Sequence, residues 1–261
     1  MRGNDQQAYD RGTSLFSPDG RIYQVEYARE AVSRGAPSVG VRTENAVVLA
    51  AKAQASSELM ESESIEKIHK LDDHVGAASA GHVADARQLI DFARRMAQGN
   101  HLRYGEAVGV ETLTKYITDH IQENTQMGGT RPYGAALLIG GIEGGVDGEG
   151  GTPRLFSADP SGTPHEWKAT IIGGGREQIQ DVLEDGWRDD LSLEEGLNLV
   201  LSSLREHDEE LQADSLSVAA ITAEDGYEHY ETEEIAELLD AIEGEADAAD
   251  EADDAGESDE E

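Results

Sequence analysis

The sequence contains no cysteine, which excludes disulfide bonds and catalysis by a thiol. It also has no apolar run that approaches the roughly 20 residues of a membrane-spanning helix. The first residues, Met1–Gln7, are polar and lack the apolar centre of a signal peptide. From these absences we expect a cytoplasmic protein with no membrane partner.

Basic residues are scarce, because 20 lysines and arginines face 55 aspartates and glutamates, giving a formal net charge of −35. Such a chain is poorly suited to neutralise phosphates, so we expect no nucleic-acid partner. The acidity fits either a disordered protein or a folded protein that surface carboxylates keep soluble in molar salt, where ions screen self-repulsion. The apolar runs Ala46–Ala51, Ala135–Ile139 and Leu216–Ile221 favour the folded protein.

Motifs for metal, phosphate or serine chemistry are missing. The eight histidines show no metal-ligand spacing, and His69, His74 and His82 are more simply interpreted as core or surface residues. No GxSxG sequence marks a serine hydrolase. Gly173–Gly175 lie before a predicted helix, but Arg176 follows where a phosphate-binding loop needs lysine, which favours a structural turn. We therefore expect no metal and no cofactor.

Thr13 is a weak candidate for catalysis. Cleavage after Gly12 would give it a free amine that could activate its own hydroxyl. Such a nucleophile normally heads a rigid strand, whereas Thr13 leads through Ser14–Phe16 into a turn, so we disfavour this interpretation.

The apolar periodicity predicts helices that alternate with pairs of strands. The predicted helices are Arg21–Arg34, Val83–Gln98, Glu106–Gln126, Arg176–Trp187, Leu193–Glu206 and Thr232–Ile242. The predicted strands are Ser38–Arg42, Ala46–Lys52, Val75–Ala80, Tyr133–Gly141, Arg154–Ala158, Lys168–Ile172, Leu216–Thr222 and Tyr227–Tyr230. This order favours two sheets that pack together with helices outside them, and not a doubly wound parallel sheet.

The chain divides into three parts by composition. Residues 1–20 are polar and end in the turn signal Ser17–Gly20, and residues 21–242 carry the periodic elements. Residues 243–261 contain eleven acidic residues and no basic ones, so we expect a disordered tail. The tail is either an interaction segment or a solvated extension, and we favour the extension.

Several ordered motifs now carry a resemblance to a known family. They are Tyr9–Arg11, Phe16–Arg21, Gln24–Ala28, Ser64–Ile68, Gly81–Arg87 and Gly128–Gly134. Together they resemble the archaeal, halophilic type of 20S proteasome α-type subunit, from about Ala8 to Leu239. The resemblance implies the four-layer αββα sandwich of the N-terminal-nucleophile hydrolases, with an N-terminal helix across the top.

The resemblance also implies a role in protein degradation. Family members form seven-membered α rings outside the proteasome β subunits, gate the axial pore and dock a proteasome-activating AAA ATPase. They serve ubiquitin-independent or archaeal-modifier-dependent degradation. The partners implied are therefore other α subunits, β subunits and that ATPase.

Gate and pore residues are carried over by motif. The gate cluster implied is Tyr9, Asp10, Arg11, Pro18 and Tyr27, in which proline supplies a rigid turn and the tyrosines supply hydrogen bonds and ring contacts. The pore constriction loop implied is Met127, Gly128 and Gly129. The family often has tyrosine where this chain has Met127, and methionine is more flexible, so we expect a softer or wider constriction.

The docking pocket implied by the family comprises Glu26, Lys67, Gly81 and His82. In the family this pocket receives an ATPase tail that carries a hydrophobic–tyrosine–any-residue motif. The Lys67 ammonium can pair with the terminal carboxylate of that tail, and Glu26 can pair with Lys67 across the interface between two copies. His82 departs from the family, which often has an apolar residue there. Taken alone, Lys67 could also be a solvated lysine at a helix end.

Comparison with catalytic β-type subunits implies that the chain is inert by itself. The stretch from Ala36 to Gly40 resembles the start of their first strand, with Ala36 at the place of the threonine nucleophile and Lys52 at that of a supporting aspartate. We expect neither a nucleophile nor a base there, so the isolated chain should have no peptidase activity. The alternatives are an N-terminal-nucleophile hydrolase activated by processing and an acidic adaptor that binds through its tail.

Overall fold

A computed structural model describes residues 20, 22–53, 57, 59–61, 64–127, 130–144, 150–208, 210–242 and 244. Its helices are α1 (Tyr23–Ser33), α2 (Val83–Tyr104), α3 (Val110–Gln126), α4 (Arg176–Gly186), α5 (Leu193–His207) and α6 (residues 232–242). Its strands are β1 (Ser38–Arg42), β2 (Ala46–Lys52), β3 (Ile68–Asp72), β4 (Val75–Gly81), β5 (Ala135–Glu143), β6 (Thr152–Ala158), β7 (Pro164–Glu166), β8 (Ala169–Ile172), β9 (Leu216–Thr222) and β10 (Gly226–Tyr230).

The described strands form two antiparallel five-stranded sheets. The first sheet has the order β10-β9-β2-β1-β8 and the second the order β3-β4-β5-β6-β7. The burial of strand β2 explains why its sequence, Ala46–Ala51, is a continuous apolar run. Val47, Leu49 and Ala51 point into the core between the sheets, while Val48 and Ala50 point towards the helices that cover the first sheet. Both faces are therefore buried.

Three apolar clusters correspond to the three contacts between four layers. One lies between the two sheets, one joins α4, α5 and α6 to the first sheet, and one joins α2 and α3 to the second sheet. The predicted αββα sandwich is confirmed. Helix α1 covers one end of the sandwich, where Val32 contributes to the core between the sheets.

Two of the strands were not predicted from the sequence. Strand β3 alternates poorly, because His69 is buried in it, Lys70 is exposed, and the pairing with β4 shifts between Lys70 and Asp72. Strand β7 is a short edge strand with three exposed residues that starts at Pro164. Neither has the alternating apolar pattern that identifies a strand.

Some predicted boundaries were wrong. Helix α2 passes the predicted end at Gln98, continues through Gly99 and ends before Gly105, whose φ of 76° stops it. Helix α3 begins at Val110 and not at Glu106. The predicted tail, residues 243–261, lies outside the described residues apart from Gly244, as does the predicted N-terminal segment, residues 1–20, apart from Gly20.

Gly140 gives a test of the contact between the two sheets. A Cβ at Gly140 would lie 2.5 Å from Val47 Cγ1, in a fully buried region. We expect Gly140→Ala to lower the free energy of unfolding by about 1–3 kcal/mol, because such crowding forces the strands apart. Gly99→Ala is the control, since nothing lies within 4 Å of its Cβ position in α2, and it should stabilise by about 0.5–1 kcal/mol. Denaturant titration in one buffer measures both, and equal stability of the two variants would contradict the sheet contact.

Candidate functional site

The structure describes some of the predicted site residues and not others. Tyr9, Asp10, Arg11, Pro18, Gly128 and Gly129 lie outside the described residues, so their roles stay predictions. Described are the predicted docking residues Glu26, Lys67, Gly81 and His82, the predicted gate residue Tyr27 and the predicted constriction residue Met127.

Lys67 is buried at the end of the sandwich that α1 covers. It immediately precedes β3, and only 8% of the residue is exposed. Its Nζ atom donates hydrogen bonds to three backbone carbonyl oxygens, those of Ala36 at 2.7 Å, Lys52 at 2.9 Å and Pro37 at 3.2 Å. The interpretation of Lys67 as a solvated helix-end lysine is therefore wrong.

The environment of Lys67 also changes its protonation. Burial lowers the pKa of the Lys67 ammonium from its ordinary value of 10.5 to about 7. Three carbonyl acceptors match the three N–H groups of the charged form, so an ammonium can be held there below that pH. Below about pH 7 Lys67 is thus a cation, and a nearby anion would raise its pKa and extend the charged form to higher pH.

Close backbone contacts surround this ammonium. A Cβ at Gly35 would lie 2.7 Å from the Gly81 nitrogen, and a Cβ at Gly173 would lie 2.6 Å from the Ala36 carbonyl oxygen. Gly174 N–H donates to Gly35 O at 2.7 Å. The predicted structural turn at Gly173–Gly175 is confirmed, since it lets the chain touch the backbone beside the Lys67 acceptors.

Gly81 and His82 form the turn between β4 and α2. Gly81 has a φ of 98°, and a Cβ there would lie 2.4 Å from Gly134 O. His82 N–H donates to the same oxygen at 2.8 Å, while the His82 residue is exposed. Gly81 also touches Gly35, which precedes the Ala36 carbonyl that binds Lys67. The structure therefore brings Lys67 and Gly81 to one end of the sandwich.

Glu26 lies elsewhere on the same end. It is half-buried on α1, roughly 10 Å along the helix axis from Ser33. It lines a cleft of about 570 Å³ between α1 and the ends of β6 and β8. Arg29 crosses the same cleft to bind Asp159 at 2.6 Å. Pairing of Glu26 with Lys67 was predicted between two copies, and it stays a prediction.

The position that resembles the β-type nucleophile has an unexpected neighbour. Ala36 offers only a methyl group, but Lys67 Nζ, with a pKa of about 7, lies 2.7 Å from its carbonyl oxygen. From the sequence we expected no base here and did not consider this amine, which contacts the backbone of Ala36 as a hydrogen-bond donor. Lys52 forms an ion pair with Asp208, and the Ser38 hydroxyl donates to Ser79 O at 2.8 Å.

Sequence reasoning missed the role of Asp85. Its carboxylate accepts hydrogen bonds from Arg131 Nη1 at 2.5 Å, Arg131 Nη2 at 2.7 Å and Gly134 N–H at 2.7 Å. Burial acts to raise the pKa of Asp85, but these hydrogen bonds outweigh it and hold the pKa below its ordinary value. Asp85 and Arg131 both lie in the sequence motifs that carry the family resemblance, but only the tertiary structure shows that their side chains meet.

Two general features of the described residues concern metal binding and membrane insertion. His69 and His74 are buried, and among the described residues no three histidine, aspartate or glutamate side chains are placed to hold a metal ion. No helix in the described part of the chain has the length and apolarity to cross a membrane.

Comparison with known proteins gives consistent matches. A family model described as "Proteasome subunit" matches residues 32–221, and a second model, for the N-terminal signature of A-type proteasome subunits, matches residues 9–31. The chain is 67% identical over 228 residues to "Proteasome subunit alpha 2" of Haloferax volcanii, covering 87% of this chain and 89% of that protein. It is 60% identical over 226 residues to "Proteasome subunit alpha" of Haloquadratum walsbyi, covering 86% and 88%. For "Proteasome subunit alpha" of Halobacterium salinarum the identity is 58% over 228 residues, covering 87% and 88%.

The lowered pKa of Lys67 gives a test by stability. Between about pH 7 and 9.5 the unfolded chain keeps a proton on Lys67 that the folded chain has lost, so folding stability should rise with pH, by at most about 1.4 kcal/mol per unit. We expect Lys67→Met to remove this rise, while Lys115→Met, which removes an exposed lysine, should retain it. Denaturant titrations at several pH values measure the slope, and a rise that persists in Lys67→Met would contradict the burial of the ammonium.

Proposed function

The chain belongs to the proteasome subunit family as an α-type, non-catalytic outer-ring subunit, and from this premise we propose that it gates the proteolytic chamber and docks an ATPase activator. The proposal has three parts: a carboxylate-binding pocket at Lys67, a gate formed by the N-terminal segment, and a constriction at Met127. Peptide cleavage itself belongs to partner β subunits.

Lys67 carries the docking part of the proposal. Its ammonium is held by three neutral carbonyl oxygens, so an arriving carboxylate would replace a neutral acceptor with a charged one. Charge-assisted hydrogen bonds are roughly twice as strong as neutral ones. Only five of the 261 residues are lysine, and this one binds the carbonyl of Ala36, next to Gly35, which packs closely against Gly81. The fitting ligand is the C-terminal carboxylate of an ATPase tail.

The pocket is completed by a second copy of the chain. In one copy, Glu26 faces the cleft beside α1 and the Lys67 ammonium contacts backbone carbonyls. In a ring of copies, Glu26 of one copy reaches the Lys67 side of its neighbour and pairs with its charge. The pocket therefore forms only where two copies meet, with Lys67 from one copy and Glu26 from the other.

The gate part rests on the N-terminal motif. Tyr27 is 47% exposed on α1, where it can receive the preceding segment. Tyr9, Asp10, Arg11 and Pro18 would pack against this surface and hold that segment in one of two arrangements, open or closed. An activator opens the gate by binding the open arrangement more tightly.

A processed hydrolase is the second candidate, and one observation favours it. An amine with a pKa of about 7 contacts the carbonyl oxygen of Ala36, the residue that occupies the place of the nucleophile. Alanine supplies no hydroxyl to activate, and we therefore place degradation in the complex with β subunits. The work of that complex would be ubiquitin-independent or archaeal-modifier-dependent degradation in the cytoplasm.

Docking should depend on pH in a way that identifies Lys67. A bound carboxylate raises the pKa of the Lys67 ammonium, so binding takes up a proton once the free site has lost its own. We expect the affinity of a peptide ending in hydrophobic–tyrosine–any residue to fall by up to about tenfold per unit above about pH 7. Fluorescence anisotropy with assembled rings measures this. Lys67→Ala should weaken binding and ATPase-stimulated proteolysis while rings still form.

Two control variants sharpen the docking test. Lys67→Arg keeps its charge at every pH used and should bind with little dependence on pH. His82→Gln removes the neighbouring titratable side chain and should retain the fall above about pH 7. Unchanged binding and stimulation in Lys67→Ala would remove Lys67 from the pocket.

A further inference from the structure

The turn at Gly81 and His82 is bonded directly to the segment that precedes β5. His82 N–H donates to Gly134 O at 2.8 Å, and a Cβ at Gly81 would lie only 2.4 Å from that oxygen. Gly134 N–H in turn donates to the Asp85 carboxylate at 2.7 Å. The turn, Gly134 and the first turn of α2 therefore form one closely packed unit with little slack.

Asp85 extends this unit to Arg131. The two side chains form a bidentate pair, with distances of 2.5 Å and 2.7 Å between their nitrogen and oxygen atoms. The Asp85 side chain is 4% exposed, whereas that of Arg131 is 62% exposed. Because a bidentate pair fixes direction as well as position, the buried carboxylate determines where the more exposed arginine lies.

A second set of hydrogen bonds joins Arg131 to Met127. Asn124 Nδ2 donates to Arg131 O at 2.7 Å, which ties the arginine backbone to the last turns of α3. The Thr130 hydroxyl lies 2.7 Å from Asn124 O and 2.9 Å from Met127 O. Met127 N–H donates to Glu123 O at 3.2 Å. Met127 is thus connected to Asp85 through described residues alone.

We infer that Asp85 is a positioning residue that couples the Gly81–His82 turn to Met127, so that an activator tail docked at this turn shifts Met127. This inference rests on the proposed docking function. A tail that shifts the turn moves Gly134 and Asp85 with it, and the bidentate pair carries the movement to Arg131. The hydrogen bonds of Asn124 and Thr130 then carry it to Met127.

A purely structural role for Asp85 makes a different prediction. An acidic side chain in the first turn of a helix stabilises that helix through its dipole. Loss of that effect would lower the stability of α2, but docking would still change the position of Met127. The two roles are therefore distinguished by measuring Met127 itself, since spatial connection alone does not prove coupling.

A spin label at position 127 provides this measurement. The chain has no cysteine and Met127 is 56% exposed, so Met127→Cys gives one accessible thiol in the chain. The label is attached before the chain is assembled with β subunits, and electron paramagnetic resonance spectra are recorded with and without the docking peptide. We expect a spectral change in the otherwise unaltered chain and at least a threefold smaller change with Asp85→Asn or Arg131→Gln.

The controls separate the inference from the docking proposal. Glu166→Gln breaks another bidentate pair, which Glu166 in β7 forms with Arg154 in β6. This variant should leave the spectral change intact. The double variant Asp85→Asn/Arg131→Gln should lose no more than either single variant, which shows that the pair acts as a unit. Peptide binding is followed by anisotropy on the same samples.

Each outcome of these measurements either supports or overturns the coupling of the Gly81–His82 turn to Met127. If the peptide binds and the label responds equally with and without the Asp85–Arg131 pair, the coupling is overturned while docking stands. The same holds if the label does not respond in the unaltered chain. If the peptide binds no assembled particle, docking fails and the coupling fails with it. If Asp85→Asn does not assemble, Arg131→Gln decides, because it changes only the more exposed partner.

Discussion

One buried lysine constrains the end of the sandwich where the residues of the proposed docking pocket lie. Lys67 precedes β3 in the second sheet, and its Nζ binds carbonyls at the start of β1 and the end of β2 in the first sheet. Ser79 adds to this link, because its N–H donates to Lys67 O while its carbonyl accepts from the Ser38 hydroxyl. A buried charge is expensive unless it is fully hydrogen-bonded, so these strand ends must stay in register for Lys67 to remain there.

The same constraint accounts for the glycines at this end. Lys67 binds the carbonyl of Ala36. Gly81 packs against Gly35, which precedes Ala36, and Gly173 packs against the Ala36 carbonyl itself. Side chains at these positions would push the backbones apart and expose the ammonium. The backbone around Lys67 is therefore closely packed, and the proposed docking of a carboxylate requires only an exchange of hydrogen-bond acceptors there. The same close packing continues from Gly81 to Gly134, whose N–H donates to Asp85, the partner of Arg131.

The sequence predicted the layers well and the site unevenly. Strands β1 and β2 were predicted at their observed bounds, because burial on both faces leaves continuous apolar runs such as Ala46–Ala51. Strand β3 was missed because one buried histidine and a shifted register disturb its pattern. The burial of Lys67 had no local signal, since its three acceptors come from residues 15 to 31 positions away. The Asp85–Arg131 pair, separated by 46 positions, was invisible for the same reason.

The central claim is that rings of this chain bind a terminal carboxylate at Lys67. Electron microscopy of the chain assembled with its β-type partner in molar salt, with the docking peptide bound, tests it most directly. We expect seven-fold α rings in which the peptide carboxylate lies within hydrogen-bonding distance of Lys67 Nζ, with Glu26 of the adjacent copy beside it. Rings whose bound peptide ends away from Lys67, or assemblies without α rings, would contradict it.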